Sequence, residues 1–358
     1  MVIDTVKIFI PAAIAFFVGV GITPILSHYL YKYKMWRKTG KVDMGGNETP
    51  IFNSLHKDYE SKTPKMGGVV IWGSVFLTVL IIWFVAKIFP GTITNKLNFL
   101  NRSQTWLPFF TLIVGSLIGL IDDFLEAKGI GDHAAGGLSL KKRLFIVFLI
   151  SLVGAYWFFV KLGVSSVAIP FDGIVDIGWL FIPFFSLVML TVYASGVIDG
   201  IDGLAGGVFA SAFAGYAIIA QYQHQIDIAA FCTVIVGAIL AFLWFNIPPA
   251  RFYMSETGSM GLSLTLAVVA FLTDAHVDGK GILVLPIIAF PLTITVLSNV
   301  IQVTSKKLRH KKVFLIAPLH HHFEAIGWPS YKVTMRYWVI SIVFTLIGVI
   351  IALSGHAL

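Results

Sequence analysis

Cysteine occurs once in this chain of 358 residues, at Cys232 inside an apolar run. No intramolecular disulfide can form, and the redox compartment is not readable from cysteine usage. Charge is scarce as well. Asp, Glu, Lys and Arg together make 12% of the residues, against about 25% in soluble domains. With 57% hydrophobic residues, too few charged groups remain to wet a globular surface. A soluble protein is excluded and an integral membrane protein is expected, with no nucleic-acid partner. The chain also lacks an internal repeat, a low-complexity segment and an HExxH pattern. No small-residue cleavage site follows the first apolar run, which begins near Ile8, so that run is expected to be a span rather than a removed signal peptide.

What is present is a series of apolar stretches long enough to span a bilayer. They fall at about 5–31, 67–89, 106–125, 144–162, 179–197, 204–222, 229–246, 259–275, 281–303 and 336–354. Their continuity favours helices over the alternating strands of a barrel. The expectation is therefore an all-α polytopic membrane protein of about ten transmembrane helices, forming one domain over 1–358. Pro286 and Pro291 should kink the ninth span.

Positive charge is distributed unevenly. Eight Lys or Arg lie between Lys32 and Lys65, four between Lys128 and Arg143, one at Arg251, and seven between Lys306 and Arg336. All of these border the odd-numbered loops, which the positive-inside rule places in the cytoplasm. An even number of spans then puts both termini outside. The glycine-, proline- and acid-rich segments fall on that same side: SKTPKMGG (61–68) in loop 1, IDDF (121–124) and AAGGLSLKKR (134–143) at loop 3, VIDGIDGLAGG (197–207) as loop 5, NIPPARFYMSETGS (246–259) as loop 7 and 306–328 as loop 9. Five loops converging on one face suit an active site there.

The acids are Asp122, Asp123, Asp199, Asp202 and Glu256. A lone carboxylate near an interface is usually a solvated helix end, but five in three loops on one face require a cation. Oxygen ligands without thiolates suit Mg2+ or Mn2+, and Mg2+ completes its shell with water and substrate phosphate. His320, His321 and His322 point about 100° apart if helical and cannot all face one ion. Phosphate contact, proton transfer or structural hydrogen bonding are the alternatives to zinc. The glycine pairs suit close helix packing, whereas DGIDG favours irregular backbone near a ligand. The basic runs at 141–143 and 306–312 suit membrane anchoring or phosphate steering. Phe252 and Tyr253 suit either base stacking or an interfacial belt.

Taken in order, these motifs resemble the phospho-N-acetylmuramoyl-pentapeptide transferase family. TPKMGG resembles TPTMGG, GLIDDFLE resembles GLIDDFLK, and DGIDGLAGG resembles DGLDGLA. NIPPARFYMSETGS resembles N-x-x-PA-x-x-FMGD-x-GS, and APLHHHFEAIGW is the most specific match. The resemblance implies transfer of phospho-MurNAc-pentapeptide from UDP-MurNAc-pentapeptide to undecaprenyl phosphate, with UMP leaving and lipid I formed. It further implies Mg2+, membrane lipid, and a cytoplasm-facing site in the bacterial inner membrane. Family members are often dimers, and the sequence leaves a homodimer open.

Carried onto this chain, the resemblance implies catalytic roles for Asp122, Asp123, His320 and His321, with Asp122 activating the lipid phosphate. Metal contacts are implied for Asp123, Asp199 and Glu256. Substrate contacts are implied for Lys62, Lys141, Asp202, Asn246, Tyr253 and His322. Two departures stand out. Glu256 and Ser255 replace the Asp and Gly of FMGD, and YASGVIDG replaces NAVNLTDG, so that Tyr193 and Gly196 stand where asparagines are usual. The alternatives are a sister HexNAc-1-phosphate transferase, a catalytically impaired member, or a transporter.

Overall fold

The structure is a computed structural model that describes residues 2–37, 62–101, 104–131, 136–275 and 281–354. It opens with α1 (Val2–Lys32), α2 (Val69–Ile88), a short α3 (Thr92–Leu97) and α4 (Trp106–Lys128). Next come α5 (Leu140–Tyr156), which runs into a π turn (Trp157–Lys161), and a hairpin of β1 (Ser166–Ile169) and β2 (Gly173–Asp176). Then follow α6 (Phe181–Ala194), α7 (Leu204–Tyr222), α8 (Ile226–Asn246) and α9 (Ser255–Asp274). The chain closes with α10 (Leu285–Ile288), α11 (Phe290–Arg309), α12 (Leu319–Ala325) and α13 (Ser330–Ser354). Among the described residues nine helices are long and apolar enough to cross a membrane. The protein is an all-α polytopic membrane protein.

The segment expected as a ninth span, 281–303, is not one helix. It breaks at Ala289 into α10 and α11, with Pro286 and Pro291 each in the first turn of its own helix. A proline ring lacks the N–H and collides with the carbonyl four residues back, so the first turn of a helix, where that N–H has no partner, suits each of them. The broken segment is tied to its neighbours at three points. At one end Tyr216 donates to the Gly281 carbonyl at 2.8 Å; midway Thr345 donates to Ile288 O at 3.1 Å; at the other end Leu319 N–H donates to Ser298 Oγ at 3.1 Å.

Helix α9 is the axis of the molecule, with nearly every residue buried. It lies against α4 through small residues on both. A Cβ on Gly115 would sit 3.1 Å from Gly261 Cα, and a Cβ on Gly119 would overlap the Glu256 carbonyl. Backbone approach of this kind drives helix association where lipid removes the hydrophobic advantage. Toward the other end, Phe271 of α9 stacks on Phe185 of α6 at 4.4 Å and packs beside Phe158 and Phe181. The β1–β2 hairpin, which hydropathy does not announce, closes that end. Its Ala168 N–H donates to Asp274 at 3.2 Å.

Candidate active site

Sequence places Glu256 in a loop, yet α9 begins at Ser255 and Glu256 lies in its first turn. The helix can start there because two carboxylates from other elements satisfy its first N–H groups. Asp123 Oδ2 accepts the Thr257 N–H at 2.8 Å and the Thr257 hydroxyl at 2.6 Å. Asp199 Oδ2 accepts the Ser255 N–H at 2.6 Å. Unsatisfied N–H groups and the helix dipole both favour anions at this point. Gly119, one turn before Asp123 on α4, allows the approach that makes these bonds.

Ser255 itself adopts φ +56°, where the resembled motif has glycine. That region costs a residue with a Cβ about 1–2 kcal/mol, against about 0.5–1 kcal/mol for the extra freedom glycine loses on folding. Ser255→Gly is therefore expected to stabilise the protein by about 0.5–1 kcal/mol. The measurement is the melting temperature in detergent, and an unchanged or lower value would show that Ser255 carries no such strain.

The two aspartates of the adjacent pair have different surroundings. Asp122 Oδ1 accepts the Leu138 N–H at 2.5 Å, and its Oδ2 lies 3.4 Å from Arg143 Nη1. The same Arg143 nitrogen forms an ion pair with Glu256, and the Tyr193 hydroxyl hydrogen-bonds Glu256 as well. Two departures noted in the sequence, Tyr193 and Glu256, thus touch each other. The Glu256 carboxylate is thus engaged by Arg143 and Tyr193. Asp123 keeps Oδ1 buried without a hydrogen bond, 3.8 Å from Lys65 Nζ. Lys65 donates to Glu126 Oε2 at 2.5 Å, and Arg37 Nε donates to Glu126 Oε1 at 2.6 Å.

His320 and His321 on α12 are buried, with ring centres 4.3 Å apart. A Cβ on Gly200 would sit 2.5 Å from His321 Nε2 and 2.8 Å from His320 Nε2. The glycine between Asp199 and Asp202 therefore lets both imidazoles reach loop 5. His321 Nδ1 lies 2.7 Å from Glu324 Oε2, and Ser330 donates to Glu324 Oε1 at 2.6 Å. His322 turns elsewhere, its Nδ1 accepting the Leu315 N–H at 3.3 Å.

Two residues expected to touch substrate also bind backbone. Asn246 accepts the Gly203 N–H at 2.9 Å and donates to the Phe252 carbonyl at 2.8 Å, tying loop 5 to loop 7. Asp202 Oδ2 accepts the Ala250 N–H at 3.0 Å, and its carbonyl accepts the Thr334 hydroxyl at 3.0 Å. Both tasks follow from long-range backbone approach, which spacing alone does not reveal. Phe252 is buried against Phe242 and Phe245 and belongs to the core. Tyr253 is half-buried, and Lys62 and Lys141 are exposed. Sequence reading took Arg143 only as part of the 141–143 basic run, and it gave no site role to Lys65, Glu126 or Thr257.

The donor set suits a small divalent cation. Asp199 is raised to about 6, chiefly by burial and further by Asp123, against the lowering effect of the Ser255 N–H. Burial therefore disfavours its ionised form, which a neighbouring cation would favour. Among the described residues no group of three or more acidic, histidine or cysteine side chains is arranged to hold a metal. Two carboxylates, Asp123 and Asp199, meet at the N-terminus of α9, and Mg2+ ordinarily takes one or two.

Comparison with known proteins agrees with this arrangement. Residues 105–274 match the family described as Glycosyl transferase family 4. The chain is 33% identical to the phospho-N-acetylmuramoyl-pentapeptide-transferase of Anoxybacillus flavithermus, over 95% of this chain and 96% of that protein. Proteins of the same name from Bacillus anthracis (32%, covering 96% and 97%) and Bartonella quintana (34%, covering 80% and 78%) are similar in the same way. At 32–33% identity over nearly the whole chain, the chain belongs to the phospho-N-acetylmuramoyl-pentapeptide-transferase family.

Proposed function

We propose that the protein transfers phospho-MurNAc-pentapeptide from UDP-MurNAc-pentapeptide to undecaprenyl phosphate, giving lipid I and UMP. The observation that carries this reading is the meeting of Asp123 and Asp199 at the N-terminus of α9, with His320 and His321 against the same loop. An oxygen of the lipid phosphate attacks the sugar-side phosphorus of the diphosphate. A new phosphoanhydride bond forms, the old one breaks, and UMP leaves. All partners are anionic, so charge neutralisation and in-line positioning are the main catalytic needs.

Asp123 and Asp199 would hold Mg2+, which supplies electrostatic stabilisation of the phosphoryl oxygens when bound. Asp122, fixed by Leu138 N–H and Arg143, faces the lipid phosphate and accepts its proton where that phosphate is monoprotonated. His320 and His321 contact phosphate beside Gly200, with Glu324 setting the tautomer of His321. Tyr253 stacks on uracil, while Lys62, Lys141 and His322 lie at the rim. The excess of Lys and Arg in the odd-numbered loops supports a site on the cytoplasmic face of the bacterial inner membrane.

The test is formation of radiolabelled lipid I by purified protein from the two substrates with Mg2+. Chelation with EDTA should lower the rate at least 100-fold, and added Mg2+ or Mn2+ should restore it. Absence of lipid-linked product with Mg2+ present, from protein that is folded, would overturn the reading. Discharge of UDP-GlcNAc in its place would identify a sister transferase.

A further inference from the structure

Lys65 and Glu126 differ in charge from the motifs their segments resemble, and they differ in opposite senses. TPKMGG stands against TPTMGG, so Lys65 replaces a threonine; GLIDDFLE stands against GLIDDFLK, so Glu126 replaces a lysine. On α4, Glu126 falls one turn after Asp122 and Asp123 and adds a further negative charge to an acidic wall. A buried carboxylate there is costly without a partner. Lys65 supplies one, at 2.5 Å, and Arg37 holds the other oxygen at 2.6 Å. The same ammonium lies 3.8 Å from Asp123 Oδ1. Positive charge has moved from α4 to the loop that faces it while staying beside Asp123.

Backbone bonds fix the place from which Lys65 reaches. Its own N–H donates to Met35 O at 2.8 Å, the Pro64 carbonyl accepts the Tyr253 N–H at 2.8 Å, and Gly67 N–H donates to Tyr253 O at 2.8 Å. Glu126 takes one of the three ammonium donors, which leaves further donors on the same nitrogen. An ion pair serving only to fasten loop 1 to α4 would be met by Arg37, which already engages Glu126. Lys65 adds a cation next to the carboxylate where the diphosphate has to sit.

We infer that Lys65 is a substrate-binding cation that holds the diphosphate of the nucleotide beside Asp123, aimed by Glu126 and Arg37. The inference rests on the transferase reading above for the nature of the substrate. A lysine binds phosphate as a point charge, so its placement matters more than the element that carries it.

The test uses the full-length protein in detergent, titrated with UDP in the presence of Mg2+ by calorimetry, with melting temperatures recorded for each variant. Lys65→Thr should weaken UDP binding at least tenfold and raise KM for the nucleotide substrate more than it lowers kcat. Lys65→Thr combined with Glu126→Lys should bind UDP within threefold of the wild type, because the exchange returns a cation to α4 opposite the same carboxylates. Lys65→Met combined with Glu126→Leu replaces the ion pair by an apolar contact; it should stay folded and bind UDP as weakly as Lys65→Thr. Binding within twofold of the wild type by folded Lys65→Thr or by the apolar pair would overturn the assignment, as would failure of the folded exchange variant to recover. Because UDP binding is read without turnover, wild-type protein that binds UDP but forms no lipid-linked product would sink the transferase reading and leave this series intact. Wild-type protein that does not bind UDP would overturn both.

Discussion

Asp123→Asn is expected to lower lipid I formation about 1,000-fold while the protein remains folded. Asparagine keeps an acceptor oxygen for the N–H and hydroxyl of Thr257, so the cap on α9 survives and stability should change by only about 1 kcal/mol. What is lost is the charge on Oδ1, the oxygen that takes no hydrogen bond and lies 3.8 Å from Lys65. That oxygen is the one available to a cation. Initial rates measured beside melting temperatures separate the two contributions. A rate within tenfold of the wild type would reduce Asp123 to a helix cap and move the cation site elsewhere.

Gly119→Ala should damage stability and activity together. The added methyl would overlap the Glu256 carbonyl and crowd the Thr257 nitrogen at 2.8 Å. These are backbone atoms in the first turn of the most buried helix, and they cannot swing aside as a side chain would. Overpacking of this kind costs about 1–3 kcal/mol. Relief by separation of α4 and α9 would pull Thr257 off Asp123, and a displacement of about 1 Å is enough to cost about 100-fold in rate. Gly21 supplies the control, since a Cβ there meets nothing within 4 Å. Gly21→Ala should leave rate and melting temperature unchanged or slightly higher. Wild-type stability and rate in Gly119→Ala would show that the close approach of these helices is not what positions the site.

Much of the fold was legible because hydropathy is a property of neighbours in sequence. Span positions, the proline break near Ala289 and the separation of polar loops to one end of the bundle all follow from local composition. The β1–β2 hairpin was not legible, since four-residue strands carry too little pattern to stand out from a connecting loop. In the site, the acids and histidines were legible as motifs, but their tasks were not. Asn246 and Asp202 also bind backbone, because Gly203 and Ala250 approach them from other parts of the chain. Lys62 and Lys141 drew notice as charges near motifs, whereas Lys65 and Arg143 are the cations that reach the acids. A usable signal for Lys65 lay in the two opposite departures, TPKMGG and DDFLE, which a charge comparison of the motifs would have paired.

By itself the sequence determined that this is a helical membrane protein, which loops share a face, and which transferase family its motifs belong to. Each of these depends on composition or on the order of residues along the chain. Only the tertiary structure decided how the charges pair. Thr257 meets Asp123 across 134 residues and Arg143 meets Glu256 across 113. Coulomb interactions and hydrogen bonds act over a few ångströms of space, so distance along the chain does not report them. Those contacts pair Glu256 with Arg143 and Tyr193, while Asp123 and Asp199 meet at the N-terminus of α9.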